Sequence, residues 1–197
     1  MVVRLLLVLS LSFTSLVSAQ HKYEHTPKEE RETTFEYSLL LGTSANKVET
    51  LLDGGDQPPA NTSDWTAAPF LGLGVHGTYG DHQNHQFGLV ASYSTADGDA
   101  LWSFRPLDYR YELYDSFRLK GFFGVARYDQ ATSAHGYYLG GGAEWRFADD
   151  QLGINVEAAY GDKIARDRVL PSDPPATGTP EIFYDIYLVN MYLAWYF

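Results

Sequence analysis

The stretch Tyr187–Phe197 reads YLVNMYLAWYF, and its side chains alternate between two kinds. Period two is typical of a β-strand whose two faces meet different surroundings. The intervening positions are mixed, and Asn190 lies among them. The pattern therefore predicts a strand with one apolar face, which meets either a protein core or lipid. Counted back from the last residue, the apolar or aromatic positions are Phe197, Trp195, Leu193, Met191, Val189 and Tyr187.

The same alternation recurs along the chain and predicts eight strands. Parity slips by one near Pro106, where we expect a bulge or a late strand start. Long connections, at Thr43–Ala68 and Gly161–Glu181, alternate with short ones, and Thr95–Ala100 is of modest length. An even number of strands with short turns at one end is the outer-membrane pattern. The eight stretches are residues 35–41, 70–79, 86–94, 107–113, 116–126, 137–147, 152–160 and 187–197.

The polar positions of these strands favour a membrane barrel over a soluble one. They are rich in glycine, as at Gly140 and Gly142, and the interior of an eight-stranded barrel is crowded. Their charges nearly balance, and buried charges persist only when paired. The tight turn at Asp115 predicts that Glu112 lies opposite Arg118. The predicted interior charge network is Glu36, His76, Asp108, Arg110, Glu112, Arg118, Lys120, Glu144, Arg146 and Glu157.

The composition and the N-terminal segment limit the classes of protein to which this chain could belong. The chain has 197 residues, no Cys and a formal charge of −11, which argue against a disulfide framework, a Cys-ligated metal and a nucleic-acid partner. Residues 1–19 have the layout of a secretory signal peptide. Residues 20–33 are polar and predict a periplasmic leader. We therefore expect residues 34–197 to form an all-β, eight-stranded antiparallel up-and-down transmembrane β-barrel.

The strand pattern, the loop asymmetry and the terminal aromatic residues resemble the small eight-stranded outer-membrane barrels of Gram-negative bacteria, of the OmpA/OmpX/OmpW type. The resemblance covers the chain from about Phe35. It implies an outer-membrane location after signal-peptide cleavage, with contacts to outer-membrane lipid and lipopolysaccharide and with no cofactor. It also implies that the barrel-assembly machinery reads a C-terminal signal. That signal comprises Tyr187, Leu193, Trp195 and Phe197.

Two clusters raise the question of chemistry. The segment DHQNH, with Asp81, His82 and His85, offers an incomplete ligand set, so we expect no metal site. Ser133 and His135 lie close in sequence, with Asp129 nearby. A nucleophile–base pair there is conceivable, as in lipid A-modifying barrels, but loop Ser and His are more often solvated.

We expect a structural or surface-interaction role with a side-chain-filled charged interior. One alternative is a lipid A-modifying outer-membrane enzyme, and another is a soluble periplasmic lipocalin-like carrier. A wide porin lumen is not expected in eight strands, although a narrow or gated path is left open. The acidic first loop could also bind divalent cations that bridge lipopolysaccharide phosphates. Its acidic residues are Glu49, Asp53, Asp56 and Asp64.

Overall fold

A computed structural model describes residues 35–52, 61–79, 84–129, 135–167 and 182–197. The predicted signal peptide and leader lie outside these residues. No helix in the described ranges is long and apolar enough to cross a membrane. The strands are β1 (Phe35–Leu52), β2 (Asn61–Thr62), β3 (Thr66–Tyr79), β4 (His85–Ala96), β5 (Asp99–Tyr114), β6 (Phe117–Tyr128), β7 (Gly136–Phe147), β8 (Leu152–Asp167) and β9 (Ile182–Tyr196).

The strands form one closed antiparallel barrel. Each long strand pairs with the next in sequence, and β9 pairs back onto β1, with Leu41 opposite Leu193. The two-residue β2 pairs only with β1, at Glu49 and Thr50. Leaving β2 aside, the barrel has eight strands, which confirms the predicted fold. We call the end where β1 begins and β9 finishes the inner end, and the opposite end the outer end.

Two strands continue beyond the limits that the sequence predicted. Strand β1 runs on to Leu52 and β8 to Asp167, so the predicted loops Thr43–Ala68 and Gly161–Glu181 were drawn too long. The reason is that the inward-facing and outward-facing positions carry different kinds of residue at the two ends of the strand. Leu41 points outward in β1, whereas farther along Val48 points inward, 6% exposed. Near the outer end the apolar residues therefore point inward instead of outward. A strand predicted from one continuous alternation ends before this change and is too short.

The connection between β4 and β5 is also shorter than expected. It consists of Asp97 and Gly98, whose φ angles are 50° and 92°. Positive φ at both central residues is the geometry of a type I′ hairpin, and Asp-Gly is a strong signal for it. The prediction of a modest connection at Thr95–Ala100 was therefore wrong, because the Asp-Gly signal was not used.

Strand β5 carries the irregularity that was predicted near Pro106. Its pairing with β6 shifts register between Phe104 and Leu107, and its pairing with β4 shifts beside Val90. This confirms the bulge. Its consequence is that Arg105, before the bulge, and Asp108, after it, both point inward and are both fully buried.

The interior has an apolar part as well as a charged one. A large cluster lies toward the outer end, and a smaller one, around Leu40 and Phe70, lies against Tyr192 and Tyr196. The outer cluster fills the lumen beside the charged residues. Its buried members are Val48, Ala96, Leu101, Phe122, Ala126, Tyr128, Tyr138, Ala159, Ile164, Ala165, Ile186 and Leu188.

Candidate functional site

The exterior of the barrel is apolar along its strands. In β9, Tyr187, Met191 and Trp195 point outward and are 38%, 61% and 54% exposed. The intervening residues, from Leu188 to Tyr196, are buried inside. A large exposed apolar surface marks a contact with a partner or a membrane. The two faces of the terminal stretch therefore have opposite surroundings, with the apolar set outside.

Aromatic residues border this exterior at both ends. Toward the outer end, the rings of Tyr160 and Tyr187 are 5.1 Å apart. At the inner end, Trp195 and Phe197 are 6.3 Å apart. At about 3.3 Å per residue and a strand tilt of about 40°, the span from Tyr187 to Trp195 is about 20 Å high. That height approaches the apolar band of about 25 Å in transmembrane barrels.

The structure places the ten residues of the predicted charge network inside the barrel. Glu36 and Glu112 lie near the inner end, and their side chains are 24% and 11% exposed. Arg118, which pairs with Glu112, is buried. The other seven are nearly or fully buried: His76, Asp108, Arg110, Lys120, Glu144, Arg146 and Glu157.

Asp108 lies at the centre of one group of contacts. Its Oδ1 lies 2.9 Å from Nε2 of His76 and accepts a hydrogen bond from Nε of Arg110 at 3.2 Å. Its Oδ2 accepts one from Nη1 of Arg105 at 3.4 Å. This single carboxylate therefore joins strands β3 and β5 through its polar contacts.

Glu157 is the centre of a second group. It accepts hydrogen bonds from Nη1 and Nη2 of Arg105, at 3.2 and 2.9 Å, and from Nζ of Lys120 at 2.6 Å. The hydroxyl of Tyr192 also donates to it. The guanidinium of Arg105 stacks on the ring of Phe122, 3.7 Å from its centroid. Strands β5, β6, β8 and β9 thus meet at one buried carboxylate.

A third group reaches the inner end. Arg146 donates to Glu144 at 2.8 Å and makes two hydrogen bonds to Glu36, at 2.6 and 2.5 Å. Tyr196 donates to Glu144, and its ring lies 3.7 Å from the guanidinium of Arg146. Arg110 reaches Glu144 at 3.4 Å and links this group to Asp108. The charged interior is therefore continuous from β1 to β9.

The hairpin at Asp115 has the predicted register. Glu112 is the Cα partner of Arg118, and Nη2 of Arg118 lies 3.0 Å from Oε2 of Glu112. The two-residue turn closed by Tyr114 and Phe117 would alone pair Glu112 with Leu119, and a register shift between Glu112 and Tyr114 restores the predicted pairing with Arg118.

The sequence analysis missed Arg105. Its odd number places it with the outward-facing Leu107 and Tyr109, and only the bulge turns it inward. With Arg105 included, five acidic side chains balance five Lys or Arg side chains in the interior network. Tyr192 and Tyr196 were also missed as network members. Their even positions, which they share with Asn190, were the available signal.

The interior is filled by side chains and by closely approaching backbone. A Cβ added to Gly142 would lie 2.1 Å from the carbonyl oxygen of Val156. By contrast, a Cβ added to the outward-facing Gly121 would meet nothing within 4 Å. The interior glycines are therefore required by space, as the crowding of eight strands predicts.

The other candidate chemical residues do not gather into a site among the described residues. His85 lies beside Tyr109, with its Nδ1 2.8 Å from the hydroxyl, while Asp81 and His82 lie outside the described residues. Ser133 also lies outside them, and His135 is exposed. Within the described ranges, no group of three or more His, Cys, Asp or Glu residues could hold a metal ion.

The acidic first loop is described only in part. Glu49 accepts a hydrogen bond from Nζ of Lys47 at 2.8 Å, and Asp64 is exposed. Asp53 and Asp56 lie outside the described residues. Binding of divalent cations by this loop stays a prediction.

The apolar exterior, the paired charges inside and the closure of β9 onto β1 decide the architecture. The chain has the fold of a small eight-stranded outer-membrane β-barrel. This assignment rests on the strand order and on the two faces of the strands.

Among solved structures, the chain is similar at low identity to three outer-membrane proteins. Ail, the attachment invasion locus protein of Yersinia pestis, in complex with the heparin analogue sucrose octasulfate, is 12% identical with a TM-score of 0.48, covering 85% of this chain and 100% of Ail. OprG of Pseudomonas aeruginosa is 17% identical with a TM-score of 0.44, covering 84% and 97%. Neisserial surface protein A is 9% identical with a TM-score of 0.48, covering 85% and 100%. No protein-family model matches the chain, and no curated protein matches it significantly.

Proposed function

We propose that this protein is an integral outer-membrane β-barrel with a structural or surface-interaction role. The observation that carries the proposal is the opposition of the two strand faces. Met191 and Trp195 lie on the exposed exterior, whereas Glu144 and Glu157 are buried with their partners. A soluble barrel would have the reverse arrangement, with apolar side chains inside and charges in water.

The filled interior favours a structural or interaction role over a wide pore. Charged side chains cross the lumen in contact with aromatic rings, and the apolar cluster around Tyr128 and Ile186 occupies its outer part. Strands β1, β8 and β9 continue past the outer aromatic residues. With β2 and the exposed Trp65, they offer a surface on the outer side to partners.

In this proposal, outer-membrane lipid and lipopolysaccharide are the molecules around the apolar exterior. The barrel-assembly machinery is the partner that reads Tyr187, Leu193, Trp195 and Phe197 during insertion. All four side chains point outward, where a second protein can reach them before lipid covers them. We place the predicted leader in the periplasm, because β1 begins at the end of the barrel that has short connections such as the one between Tyr114 and Phe117.

Cell fractionation and gel migration test the membrane assignment. We expect the protein in the detergent-soluble membrane fraction, with faster migration of the unheated sample, because a folded barrel resists the detergent until it is boiled. Protease treatment of whole cells should cut only connections at the outer end. N-terminal sequencing should find residue 20 first if the signal peptide is removed. Recovery in the aqueous phase without detergent would instead establish the soluble carrier.

Lipid A chemistry tests the enzymatic alternative separately. Lipid A from cells with and without the protein should have the same mass spectrum if the role is structural. A mass difference equal to an acyl chain or another substituent would contradict that role while leaving the membrane assignment intact.

A further inference from the structure

Ser44 and Asn190 face each other inside the barrel without a hydrogen-bonding partner. They are Cα partners on β1 and β9, and both are 0% exposed. Within the described part of the chain, the Ser44 hydroxyl and both polar atoms of the Asn190 amide make no hydrogen bond to a protein group. The two side chains are neighbours on one face of the pair, yet they do not bond to each other.

Their surroundings on both sides are polar and well paired. Asn190 is also the Cα partner of Glu157, the buried centre of the charge network. On the other side, Asn46 donates to the carbonyl oxygen of Thr95 and accepts from the hydroxyl of Thr66, both at 2.8 Å. Asn190 and Ser44 therefore lie between two satisfied polar groups.

A buried amide without partners is unfavourable. Almost all buried polar side chains in folded proteins are hydrogen-bonded to protein or to ordered water. An unpaired amide costs free energy that an apolar residue of similar size would not. Leu188, the preceding inward-facing residue of β9, shows that this wall of the barrel accommodates such a side chain. The pair therefore points to a ligand.

The open atoms define the chemistry of that ligand. The Asn190 amide offers donors at Nδ2 and an acceptor at Oδ1, and the Ser44 hydroxyl offers both functions. A cation would satisfy only the oxygen atoms, and an anion only the donors. Water satisfies all of them, and buried water typically makes about three hydrogen bonds of this kind.

We propose that Ser44 and Asn190 form a binding site for internal water. This water extends the hydrogen bonding of the charge network at Glu157 toward Asn46 and the outer end. The barrel interior then contains a row of hydrated polar residues beside the outer apolar cluster. The proposal depends on packing inside the barrel, and it holds whatever role the outer surface has.

Nuclear magnetic resonance of the intact folded protein in nanodiscs tests this directly. We expect cross-peaks between the Asn190 side-chain amide protons and water, assigned by their loss in Asn190→Leu. Asn46 is the matched control, since its amide already donates to a protein carbonyl oxygen. Absence of a water cross-peak at Asn190, or a direct bond between the amide and the Ser44 hydroxyl, would overturn the proposal.

The sign of a stability change gives a second test. With water bound, Asn190→Leu should lower the thermal unfolding midpoint by about 2–4 °C or more, because it removes the main ligand of the water. An amide without a ligand would give the opposite sign, since leucine would relieve it. Met191→Leu, an outward change on the same strand, is the control and should be nearly neutral.

A double variant tests whether the two residues serve the same water. Ser44→Ala combined with Asn190→Leu should cost less than the sum of the single changes. Additive effects would contradict a shared site. If either variant fails to fold, sequential backbone and side-chain assignment of the unmodified protein identifies the Asn190 amide protons, and their cross-peaks to water still decide the matter.

Discussion

Arg105 and Glu157 meet inside the barrel through two parallel hydrogen bonds, although 52 residues separate them in sequence. Both side chains are fully buried. Arg105 reaches this position only because the bulge in β5 turns it inward. One local irregularity therefore supplies the cation that pairs with the central carboxylate.

Replacing Arg105 should destabilise the barrel strongly. Arg105→Leu leaves Glu157 with Lys120 and Tyr192 but without its bidentate partner, and removing one partner of a buried pair costs about 3–5 kcal/mol. We expect this loss in the free energy of unfolding, measured by urea titration of the protein in lipid vesicles. Arg127→Leu is the control, because the Arg127–Asp129 pair is exposed and should contribute at most about 1 kcal/mol. Equal losses for the two variants would contradict a buried role for Arg105.

The sequence predicted the part of the fold in which the apolar and polar faces of a strand keep fixed sides of the barrel wall. Period two located eight strands, and the tight turn at Asp115 placed Glu112 opposite Arg118. The pattern failed where this rule changes. Near the outer end the apolar Val48 points inward rather than outward. At the bulge in β5, one inserted residue makes the odd-numbered Arg105 point inward. Alternation shows which residues of a strand share a face. It does not show whether that face points inward or outward after a bulge, or where the surroundings change.

The sequence predicted which charged residues lie inside the barrel better than it predicted which of them contact each other. A single sequence shows that charges such as Glu144 and Arg146 share a face, because both have even numbers in one strand. It does not show that Arg146 reaches Glu36, since that contact depends on closure of the barrel and on strand tilt. The hydrogen bond from the Tyr196 hydroxyl to Glu144 likewise depends on closure of the barrel, so a single sequence does not show it.

A charge at the middle of the apolar exterior should be costly. Met191 lies midway between Tyr187 and Trp195 in β9 and is 61% exposed. Met191→Lys should reduce the free energy of folding into vesicles by about 2–4 kcal/mol, because the ammonium group would face hydrocarbon. Tyr137→Lys, near the outer end of β7, should cost only about 0–1 kcal/mol. If both lysines are tolerated equally, water rather than lipid surrounds the strands.

The interior and exterior glycines should respond oppositely to an added methyl group. In Gly142→Ala the new Cβ would lie 2.1 Å from the Val156 carbonyl oxygen, so the strands must separate. We expect a loss of stability of about 3 kcal/mol, the upper part of the usual range for overpacking. Gly121→Ala meets open space and should gain about 0.5–1 kcal/mol from reduced backbone freedom. Urea unfolding of both variants measures the difference, and a similar sign for both would show that the interior is looser than described.

Closure of the barrel can be tested with one engineered disulfide. The chain has no Cys, and Leu41 and Leu193 are Cα partners across the β1–β9 pair. Partners in antiparallel strands have Cα atoms about 4.5–5.5 Å apart, within disulfide range, so Leu41→Cys with Leu193→Cys should cross-link on oxidation of the folded protein. Leu41→Cys with Met191→Cys, displaced by two residues, lies about 7–8 Å apart and should not. Non-reducing gels and peptide mapping distinguish the outcomes. Cross-linking of the displaced pair alone would mean a different register, which would also move Glu36 away from Arg146.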